Sequence, residues 1–574
     1  MTPGKATLDP GAAARCAFRT VLEHDEVGAA AADTEHDDTT VRRFDAAAAH
    51  RRDVAATMLA LHGARAFAAG RDVARTLEAL GRDDLDVVVD PALPPDDAGR
   101  RRGAPGILVA DRNGGAIAWR PVDVHNHFLT AEGTSSLRTS SLAAPSVERA
   151  TLREGVRLRR GGAWHRDALR LAHHHRRLET MGATGSSRPV GGVVDRATTL
   201  WWLALDEPLD DRGTPLAQYD ARFAERVQLL EATEARRAEP GLARPGAPWW
   251  HRECDECPFS ATCHAELSAD DDVSLVRFSS AADQELLRDH GVRTRRALAG
   301  LELELVSRGV AMRDEPSEAG EPVAVSIGRR LRDAERLVRR ARVEVAGSLL
   351  RLVPAASIDA RRAEVEIDFD MESYDNATYL WGTLVTVRAP TPGLTEGYRA
   401  FAEWGELTER AEGALFARFY AWLEATVRHA RGQGRTVGLY CFWEHAERAQ
   451  VRRAMGSGVE RLPTEDALRD VLLDPLVDLH QVVTSQLQTA GPAGLKVVAG
   501  AAGFSWRDAA PSGEASMAWY EEARAADPSR AAAAVHRLLA YNEDDCLATR
   551  ALRDWLEGGA TQLPSVEEAR PVDS

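Results

Sequence analysis

Between residues 365 and 372 the chain reads Val-Glu-Ile-Asp-Phe-Asp-Met-Glu, apolar and acidic side chains alternating one for one. A period of two belongs to a strand with one face in a core. Val365–Phe369 and Tyr379–Val387 therefore predict neighbouring strands of a hairpin, joined by the polar segment Glu372–Thr378. Helical stretches then alternate with short strands as far as Leu556, and Glu557–Ser574 reads as a polar, disordered tail. Upstream, helical patterns at Ala46–Ala69 and Asp167–Met181 flank strand-like runs at Asp86–Val89, Gly106–Ala110, Ala116–Val124 and Thr198–Leu205. Between these halves lie two helical hairpin-like pieces. In Leu286–Leu301, Gly291 suits the end of one helix and Thr294 the start of the next; Ile327–Val345 is apolar on one side and arginine-rich on the other.

A chain of 574 residues is too long for one hydrophobic core. The expected division is 1–268 as a mixed α/β region, 273–350 as a helical connector, 360–558 as a second α/β domain and 559–574 as a polar tail, with Asp270–Asp272 as a linker. No apolar run approaches the roughly 20 residues that span a bilayer, so the expectation is no membrane association and a cytoplasmic location. A net charge of −16 argues against a general nucleic-acid coat protein. It leaves room for a nuclease, whose cleft needs only local positive charge. Basic stretches at Arg100–Arg102, Arg157–Arg160 and Arg329–Arg342 read as solvated helix faces. Lysine occurs only at Lys5 and Lys496, which excludes any chemistry requiring a lysine between them.

On a strand, Asp370 and Glu372 project to the same side, and Asp368 joins that face. Like charges held together repel unless a cation lies between them, and hard divalent ions such as Mg²⁺ take carboxylate oxygens. A second acidic cluster, Tyr541-Asn-Glu-Asp-Asp-Cys546, opens a helical run in which Tyr541 and Asp545 share one face. A phenol and a carboxylate so placed suit a site where Tyr541 orients water and Asp545 binds metal. Between the clusters, Glu447 or Glu444 is the candidate for a further ligand. Two Mg²⁺ or Mn²⁺ ions about 4 Å apart would stabilise both the attacking and the leaving oxygen of a phosphodiester cleavage.

Six cysteines do not suggest a disulfide scaffold, but their placement is uneven. Cys254-x-x-Cys257 and Cys263, with Cys16 far upstream, have the spacing of a metal clasp for zinc or an iron–sulfur cluster. Cys441 and Cys546 read as small packing residues. The strings His125-Asn-His127 and His173–His175 read as chance and as a helix face, not as metal sites.

Residues 363–556 resemble the ribonuclease H-like (DnaQ/DEDD) domain of RecB-family nucleases. The matching pieces are Asp370-Met-Glu372, Tyr379-Leu-Trp-Gly382, Tyr440 to Glu447, Val477-Asp478-Leu479, Gly494-Leu-Lys-Val-Val-Ala, Gly503-Phe-Ser-Trp506, Ser512-Gly513 to Trp519-Tyr520 and Tyr541-Asn-Glu-Asp-Asp545. The resemblance implies a 3′→5′ exonuclease in which Asp370, Glu372 and Asp545 bind metal, with Glu447 and Tyr541 in catalytic roles. Asp478 and Lys496 also match family positions. The cysteine arrangement is similar to the iron–sulfur module of Cas-exonuclease-like PD-(D/E)XK nucleases. That likeness implies a 4Fe–4S cluster on Cys16, Cys254, Cys257 and Cys263, with zinc as the alternative. In such modules an acid after a proline precedes an Asp/Glu-x-Lys pair; here those places hold Gly106 and Asp123-Val-His125, and a later Gln-x-x-x-Tyr feature falls on Arg170 and His174. The implied N-terminal module is folded and catalytically degenerate, and Asp111 and Asp123 alone are poor cation ligands. The middle segment resembles helix-hairpin-helix elements, with Gly291 and the arginines at 293, 295 and 296 near phosphate. The expected partner is nucleic acid, DNA ahead of RNA, with a helicase as a candidate. The rival reading is a non-catalytic nucleic-acid-binding scaffold.

Overall fold

A computed structural model describes residues 6–25, 38–112, 117–159, 161, 163–185, 188–277, 280–314, 320–508 and 512–571. The chain divides into two compact units, Met1–Glu266 and Leu267–Ser574, both mixed α/β.

The first unit is built on an eight-stranded sheet, in the order β1-β2-β3-β4-β7-β8-β5-β6. The strands are β1 (Ala66–Ala68), β2 (Val87–Val89), β3 (Ile107–Asp111), β4 (Ala118–Val124), β5 (Thr130–Ser140), β6 (Thr151–Leu158), β7 (Val190–Val194) and β8 (Leu200–Ala204). Every residue of β3, β4 and β7 is buried, so those strands lie in the interior on both faces. Around them lie α1 (Ala17–His24), α2 (Asp38–His62), α3 (Val73–Leu80), α4 (Ala163–Thr180) and α5 (Pro215–Ala238). The helix expected over Ala46–Ala69 ends at His62, because Ala66–Ala68 pairs in parallel with Val87–Val89 as an edge strand.

The second unit opens with five helices, α6 (Ala281–Asp289), α7 (Arg295–Gly300), α8 (Leu303–Ala311), α9 (Val323–Arg330) and α10 (Ala334–Ala346). Gly291 turns the chain with a φ of 77°, and the Thr294 side chain caps α7 by accepting from the Ala297 amide. Asp271 and Asp272, expected as linker, instead clamp this hairpin. Asp271 accepts from Arg295 and Asp272 from Arg288. A β-carbon on Gly309 or Gly328 would lie 2.1 or 2.0 Å from a backbone oxygen of the facing helix, so α8 and α9 cross at a glycine contact. The arginine stretches are less solvated than their charge suggests. Arg100, Arg329 and Arg342 are buried, and Arg342 donates to the carbonyls of Ala299, Leu301 and Val566.

The five-stranded sheet that follows has the order β12-β11-β10-β13-β14. Its strands are β10 (Val365–Tyr374), β11 (Ala377–Val387), β12 (Gly397–Ala402), β13 (Val437–Cys441) and β14 (Leu476–Asp478); the short β9 (Leu350–Arg351) and β15 (Leu487–Gln488) pair separately. β10 pairs antiparallel with β11 and parallel with β13, which pairs parallel with β14. The longer helices around this sheet are α11 (Glu409–Gly432), α12 (Glu444–Met455), α13 (Leu479–Gln486), α14 (Leu495–Ala501), α15 (Gly513–Ala523) and α16 (Pro528–Glu557). Alternation along β10 decides the layers. Val365, Ile367 and Phe369 join Leu415, Phe416 and Phe419 of α11 in the core, while the acidic positions take the opposite face, toward α16.

Two further expectations need correction. Residues 372–378 are not a loop: the strands run on to Tyr374 and from Ala377, joined by the two-residue turn Asp375-Asn376 with φ of 49° and 68°. Asp and Asn tolerate that left-handed geometry, which matches strand twist. Nor is the tail loose through residue 571. Val566 is buried in the helical core, Ser565 bridges Arg351, and Arg570 pairs with Glu302.

Candidate metal centre

Four acids share one face of β10, at 366, 368, 370 and 372, and the fold treats them in two pairs. Glu366 and Asp368 are fully buried against Arg553 of α16, 3.0 Å from Glu366, which also binds Arg362 at 2.6 Å. Asp368, expected to assist at the site, is therefore a structural ion-pair partner. Among the described residues, no arginine pairs with Asp370 or Glu372. They converge with Asp545 of α16 so that one oxygen from each of the three lies within 4.8 Å of the others, the one such group among the described residues.

Neutral donors hold these three carboxylates. The Asn542 amide donates to Asp370 Oδ2 at 2.8 Å, Ser516 Oγ to Glu372 Oε2 at 2.7 Å, and the Trp506 indole to Asp545 Oδ1 at 2.7 Å. The Tyr398 hydroxyl donates in turn to Asn542 Oδ1 at 2.8 Å. Gly382 lies opposite Asp370 in the β10–β11 register, and a β-carbon there would sit 1.6 Å from Asn542 Oδ1. The missing side chain is what lets α16 bring Asn542 and Asp545 down onto the strand. A register shift after Glu372 bends β10 at the site's rim.

Burial, reinforced by the charge of Asp545 and then Glu372, holds the Asp370 carboxyl well above its usual range. Burial and Asp545 push Glu372 up to about 8. Burial raises Asp545 to about 6, against the Trp506 hydrogen bond and the Lys496 charge that favour its anion. These carboxyls are short of positive charge, and a divalent cation would supply it.

Glu447 is buried on α12, and burial lifts its carboxyl to about 8. Its charge acts on Asp370, but it lies outside the group of three. Tyr541 is buried beside the carboxylates, and its hydroxyl accepts from Lys496 Nζ at 3.1 Å. Asp544, adjacent to Asp545, is taken by Arg507. Cys441 and Cys546 are fully buried. Asp478 accepts the amides of Trp443 and His480 on one oxygen and so braces the chain. Sequence reasoning gave no site role to Asn542, Ser516 or Trp506. Only Asn542 carried a usable signal, three residues before Asp545 on the same helix.

In the first unit, Cys16, Cys254, Cys257 and Cys263 are free thiols lining one small cavity with Phe18, Leu22 and Trp249. Burial pushes Cys254 and Cys263 up to about 11 and 12. Among the described residues these sulfurs do not form a group within 4.8 Å of one another. The expected closed cluster is thus replaced by an open, thiol-lined cavity. Asp111 is paired with Arg120 at 2.8 Å, at the opposite end of β4 from Asp123. Around Asp123 gather the Gly106 amide at 3.3 Å, Arg170 at 3.6 Å and His174 at 3.7 Å. His173, His174 and His175 are all buried, and His173 bonds Arg102 and Tyr219.

Among the described residues no helix is long and apolar enough to cross a membrane. No curated protein and no solved structure shows significant similarity to the chain. The RNase H superfamily model matches residues 439–557, from β13 to the end of α16, taking in Glu447, Lys496, Tyr541 and Asp545. The C-terminal part of this protein, over those residues, is an RNase H superfamily domain.

Proposed function

We propose that the protein is a metal-dependent nuclease that removes nucleotides from a 3′ end, on DNA in preference to RNA. The observation that carries this reading is the trio Asp370, Glu372 and Asp545, converging with raised carboxyl pKa values in or beside an RNase H superfamily domain. Mg²⁺ or Mn²⁺, two ions in the full reading, would be held by Asp370, Glu372 and Asp545 and would activate water and stabilise charge on the phosphate. The chain's own part is positioning. Asn542, Ser516 and Trp506 each hold one ligand oxygen in place, and Lys496 fixes the Tyr541 hydroxyl by donating to it. Glu447 stands as a proton-carrying reserve ligand, its carboxyl near 8.

The reading extends to the first unit as a catalytically degenerate PD-(D/E)XK-like module. Gly106 and His125 occupy the positions where an acid and a lysine would act, and Arg170 and His174 crowd Asp123. The thiol-lined cavity sets four soft donors in apolar surroundings, and zinc or a 4Fe–4S cluster would seat there only once the sulfurs draw together around it. The exposed Arg293 and Arg296 beside Gly291 offer charge to a phosphate backbone, whereas Arg295 is occupied by Asp271.

The test is cleavage of end-labelled single-stranded DNA with Mn²⁺. Wild type shortens the strand from its 3′ end, and Asp370→Ala and Asp545→Ala lose at least a hundredfold of the rate while keeping their fold. Equal cleavage by wild type and both variants refutes the assignment. Metal and sulfide analysis of anaerobically purified protein tests the cavity, and protein free of iron and zinc removes that part alone.

A further inference from the structure

Trp443 is a large aromatic residue held where backbone and solvent both disfavour it. Its φ of 81° and ψ of 67° lie in the left-handed region, and 49% of its surface is exposed. The fold invests in keeping it there. One oxygen, Asp478 Oδ1, accepts the Trp443 amide at 3.0 Å and the His480 amide at 2.9 Å. This shared anchor holds the two rings face to face, with centroids 4.6 Å apart and planes 25° from parallel. Phe442 meets the edge of His480 at 5.5 Å and backs the pair.

The register places this pair at the same end of the sheet as the carboxylates. Asp368 pairs with Tyr440 and Cys441 with Asp478, so Asp370, the residues that follow β13 and the end of β14 all lie toward one end of the sheet, while β10 itself runs on to Tyr374. Asp370 lies two residues past Asp368 on β10, Trp443 two past Cys441 on β13, and Asp478 closes β14. The carboxyl ends of parallel strands are where α/β sheets present ligands. Four residues after Trp443, Glu447 turns its charge toward Asp370.

We propose that Trp443, stacked on His480, is the subsite for the nucleobase at the 3′ end of the substrate strand. The inference rests on the nuclease reading above and adds to it the group that seats the terminal nucleotide. An exposed, preoriented indole offers a flat face to any base, so it fixes the strand end without reading sequence. His480 and Asp478 act through it as positioning residues.

The experiment uses the full chain with Mn²⁺ and a 5′-fluorescein single-stranded oligodeoxynucleotide whose last linkage is a phosphorothioate, to slow hydrolysis. A second oligonucleotide is identical but ends in an abasic sugar. Wild type should prefer the base-bearing end by roughly 5- to 150-fold, the range for one stacked base. Trp443→Ala should erase that preference while binding the abasic strand as wild type does, and Trp443→Phe should retain most of it. Trp443→Gly, which keeps the left-handed backbone and removes the ring, should likewise show no preference. Equal binding of the two strands by wild type, or an unchanged preference in Trp443→Ala or Trp443→Gly, overturns the proposal. Asp370-dependent cleavage with no base preference removes this subsite alone; absence of both binding and cleavage removes the nuclease reading with it.

Discussion

The contact between Gly382 and Asn542 makes a sharp test of how the carboxylates are assembled. In Gly382→Ala the new methyl would meet Asn542 Oδ1 at 1.6 Å, Asn542 Cγ at 2.7 Å and Tyr398 Cε2 at 3.0 Å. The Asn542 side chain cannot swing aside freely. It is fully buried, donates to Asp370 and accepts from Tyr398. Either α16 lifts from the sheet or both hydrogen bonds break. Overpacking costs about 1 to 3 kcal/mol, and a buried polar group left unpaired costs about 1 to 3 kcal/mol more. The sum, roughly 2 to 6 kcal/mol, corresponds to a fall in Tm of roughly 3 to 9 °C for a unit of this size. Because Asp370 loses the Asn542 amide donor, metal binding should weaken with it. The assay is thermal unfolding in chelator and in MnCl₂ for wild type and variant. A variant within 1 °C of wild type, with the same gain from Mn²⁺, would refute the packing argument.

Other outcomes follow from the same site. Asp545 and Glu372 have folded-state pKa values raised to about 6 and 8, so their stabilising contribution is full below about pH 4 and is lost as pH rises through that window. In chelator, Tm should therefore fall between pH 5 and 8, and added Mn²⁺ should stabilise more at pH 8 than at pH 5; a flat profile in chelator contradicts this. Arg553→Leu strands Asp368 and half of the Glu366 network, at a cost of about 3 to 5 kcal/mol near pH 7 that shrinks toward pH 5. Urea unfolding at both pH values measures it, and a pH-independent loss counts against the ion-pair account. Gly328→Ala sets a methyl 2.0 Å from the Val306 carbonyl oxygen, where only backbone movement relieves it, so it should destabilise by at least about 2 kcal/mol. Urea unfolding checks this, and a loss under 0.5 kcal/mol would show that the helices separate freely.

The alternation in residues 365–372 and the four-residue spacing of Tyr541 and Asp545 made the strand, its helix partner and the meeting of three acids legible. The hairpin's true length was hidden by chemistry. Glu372 and Ser373 are polar because they border the site, and a polar run reads as a loop until the Asp375-Asn376 turn is seen. Asp368 and Asp370 are indistinguishable in local pattern; what separates them is Arg553, 185 positions from Asp368. Ser516 and Trp506 reach the carboxylates from segments with no periodic relation to β10. The tail was misjudged because buried Val566 is joined by polar anchors that a polar sequence does not reveal: the Ser565–Arg351 bridge, the Arg342 bond to the Val566 carbonyl and the Arg570–Glu302 pair.

The ladder of four acids has a further consequence. A slide of β10 by two residues would put one carboxylate in place of another at both the arginine and the cation positions, leaving charge and inside-out order unchanged. Nothing in the acids themselves penalises that error. Alignment must instead be dictated by features that do not repeat: the tight Asp375-Asn376 reversal, the bend after Glu372, and the one place on β11 where Asn542 finds no side chain. Accuracy of the chemistry is thus delegated to a turn, a bend and an absent side chain rather than to the acids themselves.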